Sequence, residues 1–334
     1  MKTSIWKWAR SAVVTILALI GFLTLAIGAM IAAPLTAPPQ LKSISTTAGA
    51  VDRSDMPPLQ RFQARDGSWL AYRHYPATIA GTDRVAILVH GTSGSSAAVH
   101  ALARALAARG IETFAPDVRG HGGSGTRGDI GYIGQLEDDL ADLVAEVRKS
   151  NPTAPLVLLG HSGGGGFALR VAASPMQSQF ARTILLAPYL GYDASTNEPN
   201  SGGWANADIP RVIAIRLLAA AGIDCGQELP TVAFAVPPNS EKIPAARYSY
   251  RLMTNFGVKH SYRENLAAAR GPITIYAGAA DELMIAANYA EAVRDFPKVD
   301  VKLIDGLNHM GIVSDAHAGA MIADDIAAGA RAGS

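Results

Sequence analysis

The amino-acid sequence predicts an α/β domain: a mostly parallel sheet covered by helices on both faces, interrupted by one insertion and preceded by an apolar N-terminal helix. Three observations predict it. Short apolar runs alternate with segments of helical period through residues 61–187 and 271–332. Several of these runs, 85–89 above all, are continuously apolar, as a strand buried on both faces requires. Between 188 and 270 the alternation stops and Pro, Gly and short helical pieces take over, the pattern of an insertion laid over the strand ends.

Taken in order, the chain opens with Lys2, Lys7 and Arg10, followed by an uncharged apolar stretch from 11 to 33. As a helix this stretch spans about 34 Å at a rise of ~1.5 Å per residue, enough for a bilayer core of ~30 Å. The basic residues all precede it, which keeps the N-terminus cytoplasmic and exports the rest. A cleaved signal sequence is the rival, with Ala26-Ile27-Gly28 as its site, leaving a secreted or periplasmic protein. The apolar run continues past that site to Ala33, which favours a retained anchor over residues 1–33. Residues 34–60 read as a tether, with Pro34, Pro38, Pro39, Pro57 and Pro58 among small polar residues.

The core follows. Asp66-Gly67 between apolar runs signals a hairpin joining strands at 62–64 and 69–75. Strand 85–89 leads to a helix over 97–108 that Gly110 ends, then to strand 111–115. Residues 135–149 carry Leu136, Leu140, Leu143, Val144 and Val147 on one helical face. Strand 156–159, helix 163–173 and strand 183–186 complete the first block. After the insertion come strands 273–276 and 301–304 and helices 289–296 and 310–328.

The bulk numbers set bounds. The chain of 334 residues is about half apolar and only 17% charged, so it affords a sizeable core and is not disordered as a whole. A formal net charge of +1 offers no basic excess for nucleic acid. The single cysteine, Cys225, permits no intramolecular disulfide and reads as a small apolar residue. No His/Cys/Asp cluster has metal-ligand spacing, so neither a metal nor a cofactor is expected. Oligomeric state is not written in these patterns.

The chemistry starts at Gly160-His161-Ser162-Gly163-Gly164, which fits G-x-S-x-G with a strand running in and a helix running out. That context marks a nucleophile elbow of the α/β-hydrolase fold, with Ser162 presented at a helix N-terminus where amide donors favour developing negative charge. A serine hydroxyl needs a base, and the base needs an orienting acid. In this fold they follow in the order serine, acid, histidine, beyond the carboxyl ends of late strands. Asp281, after strand 273–276, and His309, after strand 301–304, occupy those places.

The choice among eight histidines rests on position. His90 and His121 precede Ser162, His161 adjoins it and is expected to point elsewhere, and His74 lies on an early strand. His100 and His317 lie on helices, and His260 in the insertion. For the acid, Glu282 adjoins Asp281, Asp193 follows an earlier strand where some hydrolases of this fold carry their acid, and Asp305 reads as a turn residue. His90-Gly91-Thr92 follows strand 85–89, so the backbone N–H of Thr92 is the expected oxyanion donor, paired with that of Gly163.

These pieces in sequence order resemble the monoglyceride lipase and lysophospholipase-like branch of the α/β hydrolases, the serine aminopeptidase-type branch. They are Leu88-Val89-His90-Gly91, Asp117-Val118-Arg119-Gly120-His121-Gly122-Gly123-Ser124, Gly160-His161-Ser162-Gly163-Gly164, Gly278-Ala279-Ala280-Asp281 and Gly306-Leu307-Asn308-His309-Met310. The resemblance covers residues 60–330 and is weakest in the insertion. After His-Gly the chain has Thr92-Ser93-Gly94-Ser95 in place of a Gly- or Glu-rich run, and the His-Gly-Gly-Gly of true triglyceride lipases is absent.

The resemblance implies a carboxylic ester hydrolase that forms an acyl-enzyme on Ser162, with acyl esters such as monoacylglycerol or lysophospholipid as substrate class. A serine peptidase, a thioesterase or an acyltransferase would use the same three residues. A membrane-tethered binding protein on a hydrolase scaffold is the non-enzyme alternative. The apolar segment 209–221 is expected to pack over the core as cap, with an acyl-pocket lining or a bilayer contact as the other readings.

Overall fold

A computed structural model describes residues 2–79, 83–237 and 245–331. Residue 1 of the expected anchor, residues 238–244 of the expected insertion and residues 80–82 and 332 of the expected core lie outside the described residues. The central sheet has eight strands: β1 (Leu59–Gln63), β2 (Trp69–Tyr75), β3 (Val85–Val89), β4 (Glu112–Pro116), β5 (Leu156–His161), β6 (Phe180–Leu186), β10 (Ile273–Gly278) and β11 (Val299–Ile304). The intervening β7 (Ala205–Ala207), β8 (Pro230–Phe234) and β9 (Arg247–Ser249) belong to the insertion. Spatial order in the large sheet is β1-β2-β4-β3-β5-β6-β10-β11, with the β1–β2 and β2–β4 pairs antiparallel and the rest parallel.

The strand character follows the hydrophobic pattern. Every residue of β3, β5 and β10 is buried, which only a strand covered on both faces can achieve. Gly67, in the left-handed region at φ 84°, turns the β1–β2 hairpin.

Six helices matter here: α1 (Lys2–Ala32), α2 (Lys42–Gly49), α3 (His100–Ala108), α4 (Gln135–Ser150), α5 (Gly163–Ala172) and α6 (Ile209–Ala220). In α4 the predicted apolar stripe is buried. Glu137 and Asp138 in its first turn and Arg148 and Lys149 in its last match the helix dipole. Arg119 grips Asp139 of α4 through two hydrogen bonds of 2.7 Å, fixing the loop after β4. The C-terminal helix expected over 310–328 is two pieces, Gly311–Ser314 and Ala316–Arg331, with extended backbone at Asp315 between them.

Two segments depart from expectation. The insertion holds a three-stranded antiparallel sheet, β7-β8-β9, as well as helices. Its strands of three to five residues are too short to show a clear period. The 34–60 segment, expected as a tether, folds back: it forms α2 and runs into β1. Among the described residues one helix, Trp6–Ala32, is long and apolar enough to cross a membrane, and it lies near the N-terminus, where an anchor and a signal sequence are alike in this respect.

Candidate active site

The strand β5 delivers the chain to Ser162, whose backbone sits at φ 53°, ψ −119°, a conformation that L-residues rarely adopt. The surroundings hold it there. Ser162 N–H donates to Leu186 O at 2.9 Å, and its carbonyl accepts from Gly165, Gly166 and Tyr189 at 2.9, 3.1 and 3.0 Å. Four hydrogen bonds on one peptide neighbourhood over-determine a strained turn. The turn is also tight. A Cβ at Gly160 would run into the Gly164 carbonyl, and one at Gly164 into the His90 carbonyl.

The acid and the histidine come from adjacent parallel strands. β10 and β11 pair in register up to Gly278 and Ile304, so the loops that leave them run side by side. Ala279 N–H donates to Ile304 O at 2.9 Å and Ala280 N–H to Leu307 O at 3.0 Å. This lacing sets Asp281 against His309, with His309 Nδ1 at 2.9 Å from Asp281 Oδ2 and 3.1 Å from Oδ1. Asp281 Oδ1 also accepts from the Leu283 and Met284 amides at 2.8 and 2.9 Å. Burial pushes this carboxyl up, but the His309 ring and the two amides outweigh it and hold it below its ordinary value. An ionised Asp281 keeps a proton on Nδ1 and leaves Nε2 on the far side of the ring.

Ser162 and His309 line one cavity of about 330 Å³, at the small end of the range of small-molecule sites. Thr92 lines it too, and the Thr92 nitrogen lies 3.6 Å from where a Cβ on Gly163 would be. Among the described residues, neither the Thr92 nor the Gly163 N–H is paired with an acceptor. Two unpaired amides thus lie close to Ser162. The insertion braces this loop: Trp204 Nε1–H donates to Thr92 Oγ1 at 3.1 Å, and Tyr248 OH accepts from the Ser93 N–H at 2.7 Å. Ser93 itself sits at φ 62°. No acidic side chain lines the cavity among the described residues, and no group of three His, Cys, Asp or Glu is placed to hold a metal ion.

The rival residues have other occupations. Glu282 Oε2 accepts the backbone N–H of His309 at 2.8 Å, so it holds the histidine's main chain rather than its ring. Asp193 is exposed, and Asp281 is the carboxylate paired with the His309 ring. His90 is buried; its Nδ1–H donates to Gly91 O at 2.8 Å and its Nε2 accepts from Val118 N–H at 3.1 Å, joining the loops after β3 and β4.

His161 corrects an expectation. It does not point away from the site but packs against His309 at 4.8 Å between ring centroids, and its Nε2–H donates to the His309 carbonyl at 3.1 Å. Burial, and then the nearby His309 ring, lower its pKa to about 3, so it stays neutral beside the site. Sequence position alone carried no sign of this, because the contact joins residues far apart in the chain.

In helix α6, Val212, Ala214 and Ile215 are buried while Ile209, Ile213 and Leu217 are exposed, and none of its residues lines the cavity. It packs against α1 and β8.

The profile of the family described as "Serine aminopeptidase, S33" matches residues 80–315. The chain is 33% identical to human monoglyceride lipase over 152 residues, which are 45% of this chain and 48% of that protein; it thus spans about half the length of the relative it matches. Among solved structures, a soluble variant of monoglyceride lipase from Saccharomyces cerevisiae in complex with a substrate analogue superposes with a TM-score of 0.57 at 18% identity, covering 82% of this chain and 94% of that one. A bacterial membrane phospholipase A superposes with a TM-score of 0.55 at 16% identity over 99% of both chains. The fold is that of the α/β hydrolases, and with a family match over most of its length the chain belongs to the serine aminopeptidase, S33 family.

Proposed function

We propose that the protein is a serine hydrolase of carboxylic acyl esters, with Ser162 as nucleophile, His309 as base and Asp281 as the acid that orients it. The observation that carries this reading is one cavity lined by a strained serine, a carboxylate-bound histidine and Thr92 with its unpaired amide, the unpaired Gly163 amide following the serine. Ser162 Oγ attacks the acyl carbonyl carbon while His309 Nε2 takes its proton. The carbonyl oxygen becomes an oxyanion held by the N–H groups of Thr92 and Gly163. As the tetrahedral centre collapses, the alcohol leaves with the proton from His309 and the acyl group stays on Ser162. Water then attacks the acyl carbonyl and passes its proton to His309; as this second tetrahedral centre collapses, the bond to Ser162 Oγ breaks, Ser162 regains the proton from His309 and the carboxylic acid leaves. Asp281 stabilises the imidazolium in both halves.

The likeness to monoglyceride lipases points to a single-chain lipid ester, such as a monoacylglycerol or a lysophospholipid, as the substrate class. The family's description makes a peptidase the second reading. An aminopeptidase needs a negative group for the substrate's ammonium, and the described cavity wall has no carboxylate. A thioesterase or an acyltransferase would use the same residues.

The test labels the detergent-solubilised chain and Ser162→Ala with a fluorophosphonate probe and assays both on p-nitrophenyl esters, thioesters and aminoacyl p-nitroanilides. Labelling and ester turnover are expected in the parent and absent in Ser162→Ala. A parent that neither labels nor turns over any ester would sink the reading and bring the non-enzymatic binding protein forward. Turnover of the anilides alone would favour the peptidase.

The helix Trp6–Ala32 serves in this proposal as a retained anchor, with the catalytic domain on the non-cytoplasmic side. Alkaline carbonate washing is expected to leave the full-length chain with the membrane. Release of a chain beginning near Gly28 or beyond would mean a cleaved signal sequence and a secreted or periplasmic enzyme.

A further inference from the structure

The segment between the apolar helix and the catalytic domain is fastened along its length. Arg211 of α6 donates to Ile31 O at 2.9 Å and also to Ala33 O, and Asn206 Nδ2 donates to Thr36 O at 2.9 Å. Leu41 N–H reaches Ala235 O at 3.4 Å. Asn308, next to His309, donates to Thr47 Oγ1 at 2.7 Å. Arg53 Nη2–H donates to Ala48 O at 2.9 Å and Arg53 Nε–H to Ala97 O at 3.2 Å, and Asp55 pairs with His100 and Arg104 at 3.1 and 3.0 Å. These contacts carry the chain from the end of α1, across the cap, to the rim of the candidate active site.

Helix α2 lies on that path. Eight residues are too few for a helix to persist in water by itself, so tertiary contacts hold it. Leu41, Ile44 and Ala48 recur at helical spacing, and all three line the cavity that holds Ser162 and His309, while Lys42 and Ser43 are exposed. Ile44 is 9% exposed. A solvated tether has no physical reason to aim an apolar stripe at a serine and a histidine. Leu283, Met310 and Trp204 line the same cavity, so the space beside Ser162 has apolar side chains from the core, the cap and this segment.

We propose that α2 is an acyl-binding wall of the site: Leu41, Ile44 and Ala48 receive the hydrocarbon chain of a fatty acyl ester, and Ile44 sets how long a chain fits. This rests on the ester-hydrolase reading. It makes the stretch that follows the membrane helix a part of the catalytic site. The scissile carbonyl sits at Ser162 between the Thr92 and Gly163 amides, and the acyl tail runs towards α2.

The experiment measures kcat/KM of the full-length chain in detergent micelles for p-nitrophenyl acetate, laurate and palmitate. Ile44→Trp fills the wall, and the laurate-to-acetate ratio is expected to fall by about tenfold or more, the scale of pocket discrimination between apolar groups. Ile44→Ala deepens it, and the palmitate-to-laurate ratio is expected to rise by about threefold. Ratios within about twofold of the parent in both variants would overturn the proposal and leave α2 as packing only. Should Ile44→Trp fail to fold, Ala48→Leu reads the same ratio. If the parent turns over no ester, the hydrolase reading fails by itself. The wall is then read by titrating a fluorescent fatty acid into the parent and Ile44→Ala: a changed affinity upholds it and an equal one overturns it.

Discussion

At the scale of single residues, the position of His309 is over-determined. Its ring is held by Asp281, its N–H by Glu282 and its carbonyl by His161. Each partner has a separate job, which gives a separable expectation. Asp281→Asn keeps the shape but favours the wrong tautomer of His309, and kcat is expected to fall by about 10³–10⁴-fold with little change in KM. Steady-state kinetics on a short ester checks this, and a loss under tenfold would mean another group orients the ring. Strand-end position and chain order pick out Ser162, Asp281 and His309 in the sequence, and the structure pairs Asp281 with His309 beside the cavity that Ser162 lines. His161 was misjudged and the role of Glu282 was not visible, because their partner is the main chain of a distant residue, and no spacing rule reaches across strands that pair only after folding.

Among the elements, the pairing of the cap with the loop after β3 stands out. Tyr248 of β9 accepts from Ser93 N–H at 2.7 Å and donates to His121 Nε2 at 2.5 Å, and all three groups are buried. The His121 ring passes its Nδ1–H to the carbonyls of Val118 and Arg119. Tyr248→Phe removes a donor and an acceptor together and strands their partners, at a cost of about 1–3 kcal/mol. Since Ser93 adjoins Thr92, kcat is also expected to fall, by up to about 10²-fold, the low end for losing an oxyanion donor. Thermal melting and kinetics on the variant check the two parts, and an unchanged kcat would show that the loop keeps its shape without the cap. The elements of the core were legible from continuous apolar runs and from the stripe of α4. Strands β7 to β9 were not, since strands this short carry too little pattern to separate from loop.

For the whole molecule, three buried histidines link stability to pH. His90, His121 and His161 all have pKa values lowered first of all by burial. Their unfolded value is 6.5, so below it the unfolded chain binds protons that the native chain does not. Their contribution is therefore complete above pH 6.5 and is lost as pH falls towards the native values. The sign predicts falling stability from pH 7 to pH 5, with a slope approaching about 1.4 kcal/mol per pH unit for each histidine. Asp281, lowered below 3.8, adds a loss of the same sign at more acid pH. Urea midpoints of the detergent-solubilised chain at pH 7 and pH 5 check this. Equal midpoints would mean that the histidines gain protons in the native state without penalty.

Sequence alone determined the α/β class, the glycine-rich strand-to-helix turn around Ser162 and the apolar N-terminal helix. All of these are local: a period, a Gly-rich turn or a position just after a strand can be read within a window of the chain. Only the tertiary structure decided where residues 34–60 go, which groups hold His309 and how the cap braces the loop after β3. Those are contacts between segments far apart in sequence. For α2 the local signal even pointed the other way, because prolines and small polar residues mark a free linker unless a preformed surface binds them. Here the catalytic domain supplies that surface, with Ile44 buried and Asn308 donating to Thr47 Oγ1.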